Sequence, residues 1–537
     1  MTSRRDPAVR AATILLLPTM AFYIPWMLGS IDWSAWWLSV PFVLANIHVT
    51  LTLLVSAVNN WSSRESVDVT FDLTADFDPR VAVIIPTAGE DPFLVNRTIE
   101  SVLQQHWSRD RLWMIVSDDA ANPAIHNVVR RNRRPGVRIS YHLPPSKGSE
   151  ERRGDAKAGN LNSALDLISE TSDVAWDYIE TRDADDLVGD DAFLRTAVAH
   201  LEGDPSVAFV QTIKEAHVSP GDPFDNLQPL FYRGAMFARN ADNAVFPCGS
   251  GLVWRAEALE DIGGFPTWNL VEDLQAGIEA LRRGWTGLYV PIVGAVAQHA
   301  PEDIPNVYKQ RGTWAIDAMR LLFWGDMKGL NLRQRLHFAE LGLFYSQSIA
   351  LTIFMVSAIL GLFFGQYPLV ASGVEYSAHF LPFALAIEVF LASLATGFRY
   401  ERIWKARQMW MGLIPVFANA CIDAFRYGPD RKPEYRVTRK FAQPGWYWRE
   451  VLPQAGLLFA LSAAVVYRLA VGFGEPGLDV GTIYWAAFFA VPLAGFLSNT
   501  GHGVGKQGFE GRPESGQEDV AIDRPRRAAS AAVEGSR

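Results

Sequence analysis

Long apolar stretches alternate with a polar middle section along this chain. Two runs without charged residues, at residues 11–29 and about 35–58, lie near the N-terminus. Similar runs return at about 338–365, 378–397, 451–472 and 481–499. Each run is long enough to cross a bilayer core of roughly 30 Å as a helix. The pattern predicts six transmembrane helices, although the first run taken alone also fits a signal peptide.

The section between the two groups of apolar runs, from about 66 to 325, has a different pattern. Short apolar strands alternate there with helical periodicities, and several strands end in carboxylates or turn residues. The predicted strands are 81–86, 113–119, 137–143, 177–185 and 207–212. This alternation predicts an α/β domain with a largely parallel sheet. In such sheets ligands bind beyond the carboxyl ends of the strands.

Basic residues in the connections predict the orientation of the chain in a membrane. The connections at 30–34, 366–377 and 473–480 contain no Lys or Arg, whereas residues 399–449 are rich in both. The positive-inside rule places this basic stretch, the N-terminus and the α/β domain in the cytoplasm, which predicts an integral inner-membrane protein. Segment 403–425 fits a seventh span or an interfacial helix, and its basic flanks favour the interfacial helix.

Composition adds three expectations. The formal net charge of -9 gives no reason to expect binding to nucleic acid. The two cysteines, Cys248 and Cys421, lie far apart in the sequence, which predicts free thiols in a reducing compartment. The last residues, 501–537, are polar and without periodicity, which predicts a disordered tail.

A pair of carboxylates follows the fourth predicted strand. Asp183 and Asp185 are separated by one residue, so they can share one hard divalent cation. Such a cation can hold a diphosphate and neutralise its charge as it leaves. The same pattern also occurs in solvated turns, so the position after a strand is what favours a metal site.

Three further segments carry candidate chemistry. Asp118 and Asp119 end the second predicted strand, where they can bind a ribose or a uracil or cap a helix. Lys157 lies beside a helix start, a position that suits phosphate as well as solvent. Glu272 and Asp273 begin an amphipathic helix, where they either complement the helix dipole or supply a general base.

Residues near the predicted return to the membrane form the last candidate segment. Gln310 and Trp314 precede the third apolar run. A tryptophan here can stack on a sugar face or anchor the membrane interface. Together with Thr87 after the first strand, the segments fall in a fixed order along one α/β domain.

This order resembles the processive family 2 glycosyltransferases, specifically the bacterial cellulose synthase catalytic subunits, over about residues 80–445. Pro86 to Glu90 is similar to the family's nucleotide-binding P-T-Y-N-E segment, and Ser117 to Asp119 is similar to D-D-G. The other matching segments are 157–162 (K-A-G-N-L-N), 183–185 (D-x-D), 209–212 (F-V-Q-T), 246–250 (F-x-C-G-S) and 271–273 (T-E-D).

The resemblance implies a fold and a domain division. It implies a GT-A-like α/β domain joined to an α-helical transmembrane domain of about six spans. The expected division is two helices in 1–65, the transferase domain in 66–325, the second membrane region in 326–500 and the tail in 501–537. Residues 435–440 are similar to an F-x-V-T-x-K gating loop. This loop is expected within 428–446, with Thr438 and Lys440 at the nucleotide.

The resemblance also implies a role for individual residues. Asp273 is the expected base, with Glu272 beside it. Mg²⁺ or Mn²⁺ is expected at Asp183 and Asp185. The nucleotide-sugar is expected to contact Thr87, Glu90, Asp118, Asp119, Lys157 and Asp183. The acceptor is expected to contact Gln211, Cys248, Gly249, Ser250, Gln310 and Trp314.

The implied function is inverting transfer of a hexose, with glucose favoured, from a UDP-sugar to a growing β-glycan that is also translocated. The implied partners are the UDP-sugar, the glycan acceptor, the bilayer and accessory export subunits. One departure matters, because Thr313 stands where the family's Q-x-x-R-W segment has arginine. A threonine cannot supply a bidentate contact to a diphosphate. A non-processive transferase that adds one sugar to a lipid or short glycan therefore stays open as an alternative. A non-catalytic scaffold is a separate alternative, against which the presence of Asp183, Asp185 and Asp273 argues.

Overall fold

The computed structural model describes residues 2–65, 79–171, 175–433, 443 and 445–501. Two long helices come first, α1 (Thr2–Gly29) and α2 (Trp36–Asn59). An α/β domain follows, and six more helices complete the described chain. The predicted gating-like residues Thr438 and Lys440, and the predicted tail beyond Gly501, lie outside the described residues.

The α/β domain is built on one eight-stranded sheet. Its strands are β1 (Val81–Thr87), β2 (Leu112–Asp118), β3 (Arg138–His142), β4 (Tyr178–Thr181), β5 (Asp186–Leu187), β6 (Val207–Ala216), β7 (Leu252–Arg255) and β8 (Thr286–Ala297). Its helices are α3 (Pro92–Leu103), α4 (Pro123–Asn132), α5 (Ala156–Thr171), α6 (Phe193–Gly203), α7 (Met236–Ala241), α8 (Ala256–Asp261), α9 (Glu272–Arg282) and α10 (Ile304–Trp324).

The strand order across the sheet is β3-β2-β1-β4-β7-β6-β8-β5. The half that contains β3, β2, β1 and β4 is parallel, as predicted, with Val81 opposite Leu112. The other half is mixed, because β7 pairs antiparallel with both β4 and β6, and β5 pairs antiparallel with β8. The expectation of a largely parallel sheet therefore holds for the first half alone.

Strand residues alternate between two hydrophobic cores, one on each face of the sheet. Along β1, Ala82 and Ile84 pack into one core, while Val83 and Ile85 pack into the other. All seven residues of β1 are buried. Strands covered on both faces are expected to be apolar throughout, which explains the continuous apolar run in the sequence. The polar ends of these strands then emerge together at one edge of the sheet.

The C-terminal part is helical. Its members are α11 (Leu332–Phe364), α12 (Gly373–Leu394), α13 (Tyr400–Gly412), α14 (Ile414–Tyr427), α15 (Leu452–Val471) and α16 (Pro476–Ser498). Six described helices are long and apolar enough to cross a membrane: the two N-terminal ones and α11, α12, α15 and α16. The predicted combination of an α/β domain with about six spans is confirmed.

The segment predicted as one interfacial helix, 403–425, consists of two helices. α13 ends at Gly412 and α14 begins at Ile414, with Pro415 in its first turn. Proline is tolerated in a first helical turn but removes a backbone donor from a helix interior, so the chain breaks here. Neither helix is among the described helices that meet the length and apolarity of a span. Their place at the membrane interface stays a proposal.

The α/β domain is held against the membrane helices by α10. This helix leads from the domain to α11 and packs on α14, where Val307 and Ala315 share a core with Phe417 and Ala420. Its N-terminus is capped by Asp303, whose carboxylate accepts from the backbone N–H of Asn306 at 2.9 Å. One rigid helix therefore carries residues that face both the domain and the membrane part.

Candidate active site

A cavity of about 1480 Å³ runs from the edge of the sheet into the space between the membrane helices. At the domain end it is lined by Thr87, Lys157 and Asp183, beyond the ends of β1 and β4. At the other end it is lined by Tyr376 and Trp485, on α12 and α16. The sheet edge and the membrane part therefore share one continuous cavity.

Most of the predicted site residues in the described part of the chain line this cavity. They are Thr87, Glu90, Asp119, Lys157, Asp183, Asp185, Cys248, Gly249, Glu272, Asp273, Gln310 and Trp314. Three others, Asp118, Gln211 and Ser250, are fully buried and bonded to protein groups. The fold thus gathers residues that are more than 200 positions apart in the sequence.

Asp118 is bound to the protein around it. One of its oxygens accepts from the Thr87 hydroxyl at 2.8 Å, and the other accepts from the Tyr141 hydroxyl at 3.0 Å. Backbone N–H groups of Ala120 and Asn122 also donate to it, at 3.0 and 2.7 Å. Since a carboxylate offers about four acceptor sites, these four donors fill Asp118. This geometry supports a role for Asp118 in holding the Thr87 side chain in position.

Asp119 is paired with a residue that the sequence analysis did not single out. Arg152 donates to both of its oxygens, at 2.7 and 2.9 Å, and both side chains are nearly fully buried. This is the bidentate geometry that makes arginine–carboxylate pairs strong. Arg152 also donates to the carbonyls of Pro145 and Ala156, so it fixes the loop before α5. Lys157 lies directly after this loop.

Asp183 is bracketed by two lysines. Its Oδ1 lies 2.6 Å from Lys157 Nζ, and its Oδ2 lies 2.6 Å from Lys214 Nζ. Lys214 reaches Asp186 at 2.8 Å as well, and Lys157 lies 3.5 Å from Glu272. Burial alone would raise the pKa of Asp183, but the two ammonium groups outweigh burial and hold that pKa well below its usual range. The same contacts raise the pKa of both lysines.

The N-terminus of α9 presents two carboxylates to the same space. Glu272 and Asp273 are 4% and 8% exposed, so both are nearly shut off from bulk water. Burial, and secondarily the charge of Glu272, raises the pKa of Asp273 to about 8. A carboxyl group with such a pKa is a stronger base than an ordinary aspartate.

A glycine makes this close arrangement possible. Gly249 has a φ of +80°, and a Cβ at this position would lie 2.9 Å from Asp273 Oδ2 and 3.1 Å from Lys157 Nζ. The turn around it is held by Gln211, whose Oε1 accepts from the Cys248 N–H at 2.7 Å and whose Nε2 donates to the Ser250 carbonyl at 3.1 Å. Gln211 and Ser250 therefore shape the cavity wall from behind it.

One face of α10 forms the opposite wall. Gln310, Arg311, Thr313 and Trp314 all line the cavity. The Arg311 guanidinium lies 5.0 Å from the centre of the Trp314 ring, and its Nη2 donates to the Asp225 carbonyl at 3.0 Å. Thr313, in the position of the expected arginine, donates its hydroxyl to the Lys309 carbonyl within the helix.

Asp317, one turn after Trp314, links this wall to α9. It is fully buried, lines the cavity and accepts from the backbone N–H of Val271, directly before Glu272. Its Oδ1 has no hydrogen-bond partner among the described residues. Burial raises the pKa of Asp317 to about 7.

The donor chemistry of this site suits a hard divalent cation. Asp183 and Asp185 both line the cavity, and Mg²⁺ is typically bound by one or two carboxylates together with substrate phosphates. Within the described ranges no group of three or more His, Cys, Asp or Glu side chains forms a complete metal cage. A cation that arrives with a diphosphate needs no such cage. At Asp183 it would share the carboxylate with the two lysines that already contact its oxygens.

Three residues of this site were missed by the sequence analysis: Arg152, Lys214 and Asp317. Lys214 follows the F-V-Q-T segment by two positions, and Asp317 follows Trp314 by one helical turn. The period-2 spacing of strands and the 3.6-residue repeat of helices predict that such residues share a face with the motif residues. That spacing is the sequence signal by which Lys214 and Asp317 could have been found.

The comparisons with known proteins concern the family and the fold. Residues 79–316 match the family model described as "Glycosyltransferase like family 2". This match covers the α/β domain and shows it to be similar to glycosyltransferase family 2. The chain is also 28% identical over 505 residues to a putative cellulose synthase 2 of Komagataeibacter xylinus, covering 89% of this chain and 30% of that protein.

A second relative is the UDP-forming cellulose synthase catalytic subunit of Pseudomonas fluorescens (strain SBW25). It is 28% identical over 517 residues, which cover 92% of this chain and 65% of that protein. The chain therefore spans about a third to two thirds of the length of these curated relatives. The predicted resemblance to cellulose synthases is confirmed.

A solved structure supports the fold. A mannosyltransferase from Pyrobaculum calidifontis, in complex with GDP-Man and Mn²⁺, superposes with a TM-score of 0.50 at 22% identity. The match covers 72% of this chain and 99% of that one. The predicted GT-A-like fold is confirmed.

Proposed function

We propose that this protein is a membrane-embedded inverting glycosyltransferase that extends a β-glycan with hexose units from a UDP-sugar and passes the product through its membrane helices. Glucose is the favoured hexose, given the similarity to cellulose synthases. In this proposal residues 66–325 form the catalytic domain on the cytoplasmic side of the inner membrane. Accessory export subunits are the proposed partners on the far side.

The observation that carries this proposal is the composition of the cavity. Two buried carboxylates, Glu272 and Asp273, lie in it close to the Lys157–Asp183 pair, and the same cavity continues between the membrane helices. A base, a diphosphate-binding cation and an exit for a chain-like product are the three things a processive transferase needs. All three have a candidate in this one space.

Each residue has a definite task in the proposed reaction. Asp273 accepts the proton of the acceptor hydroxyl while the hydroxyl oxygen attacks the anomeric carbon of the donor. The bond from this carbon to the diphosphate oxygen breaks, and UDP leaves with the electron pair. Attack from the opposite face inverts the configuration. Lys157 is proposed to bind the diphosphate, and Trp314 to stack on the acceptor sugar.

Mg²⁺ or Mn²⁺ is the proposed cofactor. Held by Asp183 and Asp185, it would supply positive charge to the departing diphosphate. Thr87, Glu90 and Asp119 are proposed to surround the nucleoside, with Asp118 holding Thr87 in place. Cys248, Gly249 and Gln310 are proposed to contact the acceptor, with Gln211 and Ser250 supporting that wall.

The first experiment measures UDP release from the full-length protein in nanodiscs, supplied with a panel of UDP-sugars and a divalent cation. We expect release with at least one UDP-sugar. Substitution of Asp273→Asn should lower turnover by roughly 10²–10⁴-fold, because general bases typically contribute this much. UDP affinity, measured by calorimetry, should stay within about threefold of the original.

The matched control is Asp110→Asn, which removes a carboxylate at an exposed surface turn, with its side chain 73% exposed. Its turnover should equal that of the unmodified protein. Unimpaired turnover of the Asp273 variant would show that another group is the base. Absence of UDP release with every UDP-sugar would instead favour a non-catalytic scaffold.

A second candidate function is the addition of a single sugar to a lipid or short glycan. Thr313 favours it, because its hydroxyl is bonded within α10 and it carries no charge for a diphosphate. Arg311 offers a cation on the same wall, but it is engaged with Asp225 and Trp314. Product length separates the two functions, since one predicts polymers and the other a single addition.

A further inference from the structure

Lys214 is a charged residue at the donor end of the cavity that none of the family-like motifs contains. It lies on β6, and its ammonium nitrogen is 2.6 Å from Asp183 Oδ2 and 2.8 Å from Asp186 Oδ2. Its side chain is 23% exposed, and that of Asp186 is 1% exposed. These are short, charge-assisted contacts at a largely buried site, where such bonds are about twice as strong as neutral ones.

A second lysine, Lys157, contacts the other oxygen of Asp183. Lys157 Nζ lies 2.6 Å from Asp183 Oδ1, so each oxygen of Asp183 carries one ammonium group. A divalent cation also needs a carboxylate oxygen as a ligand. In the free protein the cation must therefore either displace one lysine or share the Asp183 carboxylate with both, and in either case it lies within a few ångströms of two positive charges. The repulsion between these positive charges opposes cation binding.

A bound nucleoside diphosphate removes this opposition. Its anionic oxygens accept the ammonium group that leaves Asp183, and they supply further ligands to the cation. The displaced lysine then pairs with the diphosphate instead of with Asp183. The oxygen of Asp183 that it leaves can bind the cation. The cation and the diphosphate are thus expected to favour each other's binding.

We propose that Lys214 is a built-in counter-ion that makes divalent-cation binding at Asp183 depend on a bound nucleoside diphosphate. The proposal rests on the proposed function, since it takes Asp183 as a cation ligand. It adds a residue and a binding order to the proposed function. The free site binds metal ions weakly, and a bound nucleotide raises its affinity for them. We assign this dependence to Lys214 because it contacts both Asp183 and Asp186, whereas Lys157 is proposed to bind the diphosphate itself.

The dependence is reciprocal. If the diphosphate raises cation affinity by some factor, the cation raises diphosphate affinity by the same factor. Coupling between two ligands typically amounts to roughly 5–150-fold. We expect a coupling of at least about tenfold for the unmodified protein, and a much smaller one where Lys214 no longer pairs with Asp183.

The test is a titration of the full-length protein in nanodiscs with Mn²⁺ alone, followed by electron paramagnetic resonance of the free ion. The titration is repeated with saturating UDP, against a protein-free blank at the same UDP concentration. The unmodified protein should bind Mn²⁺ weakly alone and at least about tenfold more tightly with UDP. Lys214→Gln should bind Mn²⁺ tightly without UDP, because Oδ2 of Asp183 is released.

Three further variants test whether the positive charge of Lys214 is responsible for the UDP dependence of Mn²⁺ binding. Lys214→Arg keeps the positive charge and should keep the UDP dependence. Lys147→Gln removes one positive charge from an exposed residue of the same cavity and should leave Mn²⁺ binding unchanged. Lys214→Met keeps the length of the side chain and serves as the second neutral variant if the glutamine variant does not fold.

The outcomes separate this inference from the proposed function. Equal Mn²⁺ affinity of the neutral variants and the unmodified protein without UDP would overturn the role of Lys214. So would tight Mn²⁺ binding by the unmodified protein alone. If no protein binds Mn²⁺ even with UDP, the cation site at Asp183 is itself wrong, whatever Lys214 does.

Discussion

The Asp273 carboxyl has a raised pKa because it is buried at the start of α9 with Glu272 beside it. Below that pKa, about 8, the carboxyl is protonated and cannot accept a proton from an acceptor hydroxyl. We therefore expect kcat/KM for the UDP-sugar to rise about tenfold per pH unit up to this value and to level off above it. The measurement is UDP release between about pH 5.5 and 9.5 at low UDP-sugar concentration.

The Asp273→Asn variant is the control for this profile, since its residual activity should lack the acid limb. The affinity for UDP, measured over the same pH range, separates loss of the base from loss of the nucleotide. A rate that stays level from about pH 6 to 8 would contradict Asp273 as the titrating base.

At the scale of residues, the sequence indicated which side chains carry the chemistry, but it left their partners undetermined. Asp183 and Asp273 were candidates from their positions after a strand and at a helix start. The ion pair from Lys214 to Asp183 spans 31 positions, and only the pairing of β6 within the sheet brings it about. Asp118 was predicted as a nucleotide ligand, and its four protein donors were invisible in the sequence.

At the scale of elements, α10 holds the segment that leads into α9. Asp317 accepts from the Val271 N–H, so the start of α9 depends on a carboxylate from another helix. We expect Asp317→Leu to leave that buried N–H unpaired, at a cost of about 1–3 kcal/mol. Displacement of Asp273 should then lower kcat by at least about tenfold, while KM for the UDP-sugar changes little. Steady-state kinetics and thermal unfolding measure the two effects.

Asp317→Asn is the matched control for this prediction. Its amide oxygen can still accept from Val271, so both kcat and Tm should stay close to those of the unmodified protein. Equal kinetics for the leucine and asparagine variants would show that Asp317 does not position α9.

The strands and helices themselves were largely predictable. The apolar runs in the sequence predicted β1 to β4, β6 and the six long apolar helices. These elements were predictable because each depends on a pattern of neighbouring residues in the sequence. The strands β5, β7 and β8 were not predicted. β7 is four residues long, and it joins the two halves of the sheet by antiparallel pairing with strands distant in the sequence. Neither length nor periodicity signals such an arrangement.

At the scale of the whole molecule, the cavity joins the α/β domain to the membrane part. Its lining passes from Asp273 and Trp314 along α10 to aromatic residues on α12 and α16, including Phe380 and Trp485. Aromatic faces suit sugar rings, and a continuous route suits a product that grows at one end. The sequence predicted the two parts separately, but not that one space connects them.

A bulky residue in the membrane end of the cavity tests whether the product follows this route. Ala384 on α12 lines the cavity, whereas Ala392 on the same helix is exposed on the outside of the described structure. With Ala384→Trp we expect short oligosaccharides in place of polymer, measured by chromatography of product made from radiolabelled UDP-glucose.

Ala392→Trp is the control and should give product of the original length. UDP affinity should be the same in both variants, because both positions lie on α12, one of the long apolar helices, and outside the α/β domain. A transferase that adds one sugar and releases its product towards the domain would not respond to Ala384→Trp, so an unchanged product would decide against the processive function.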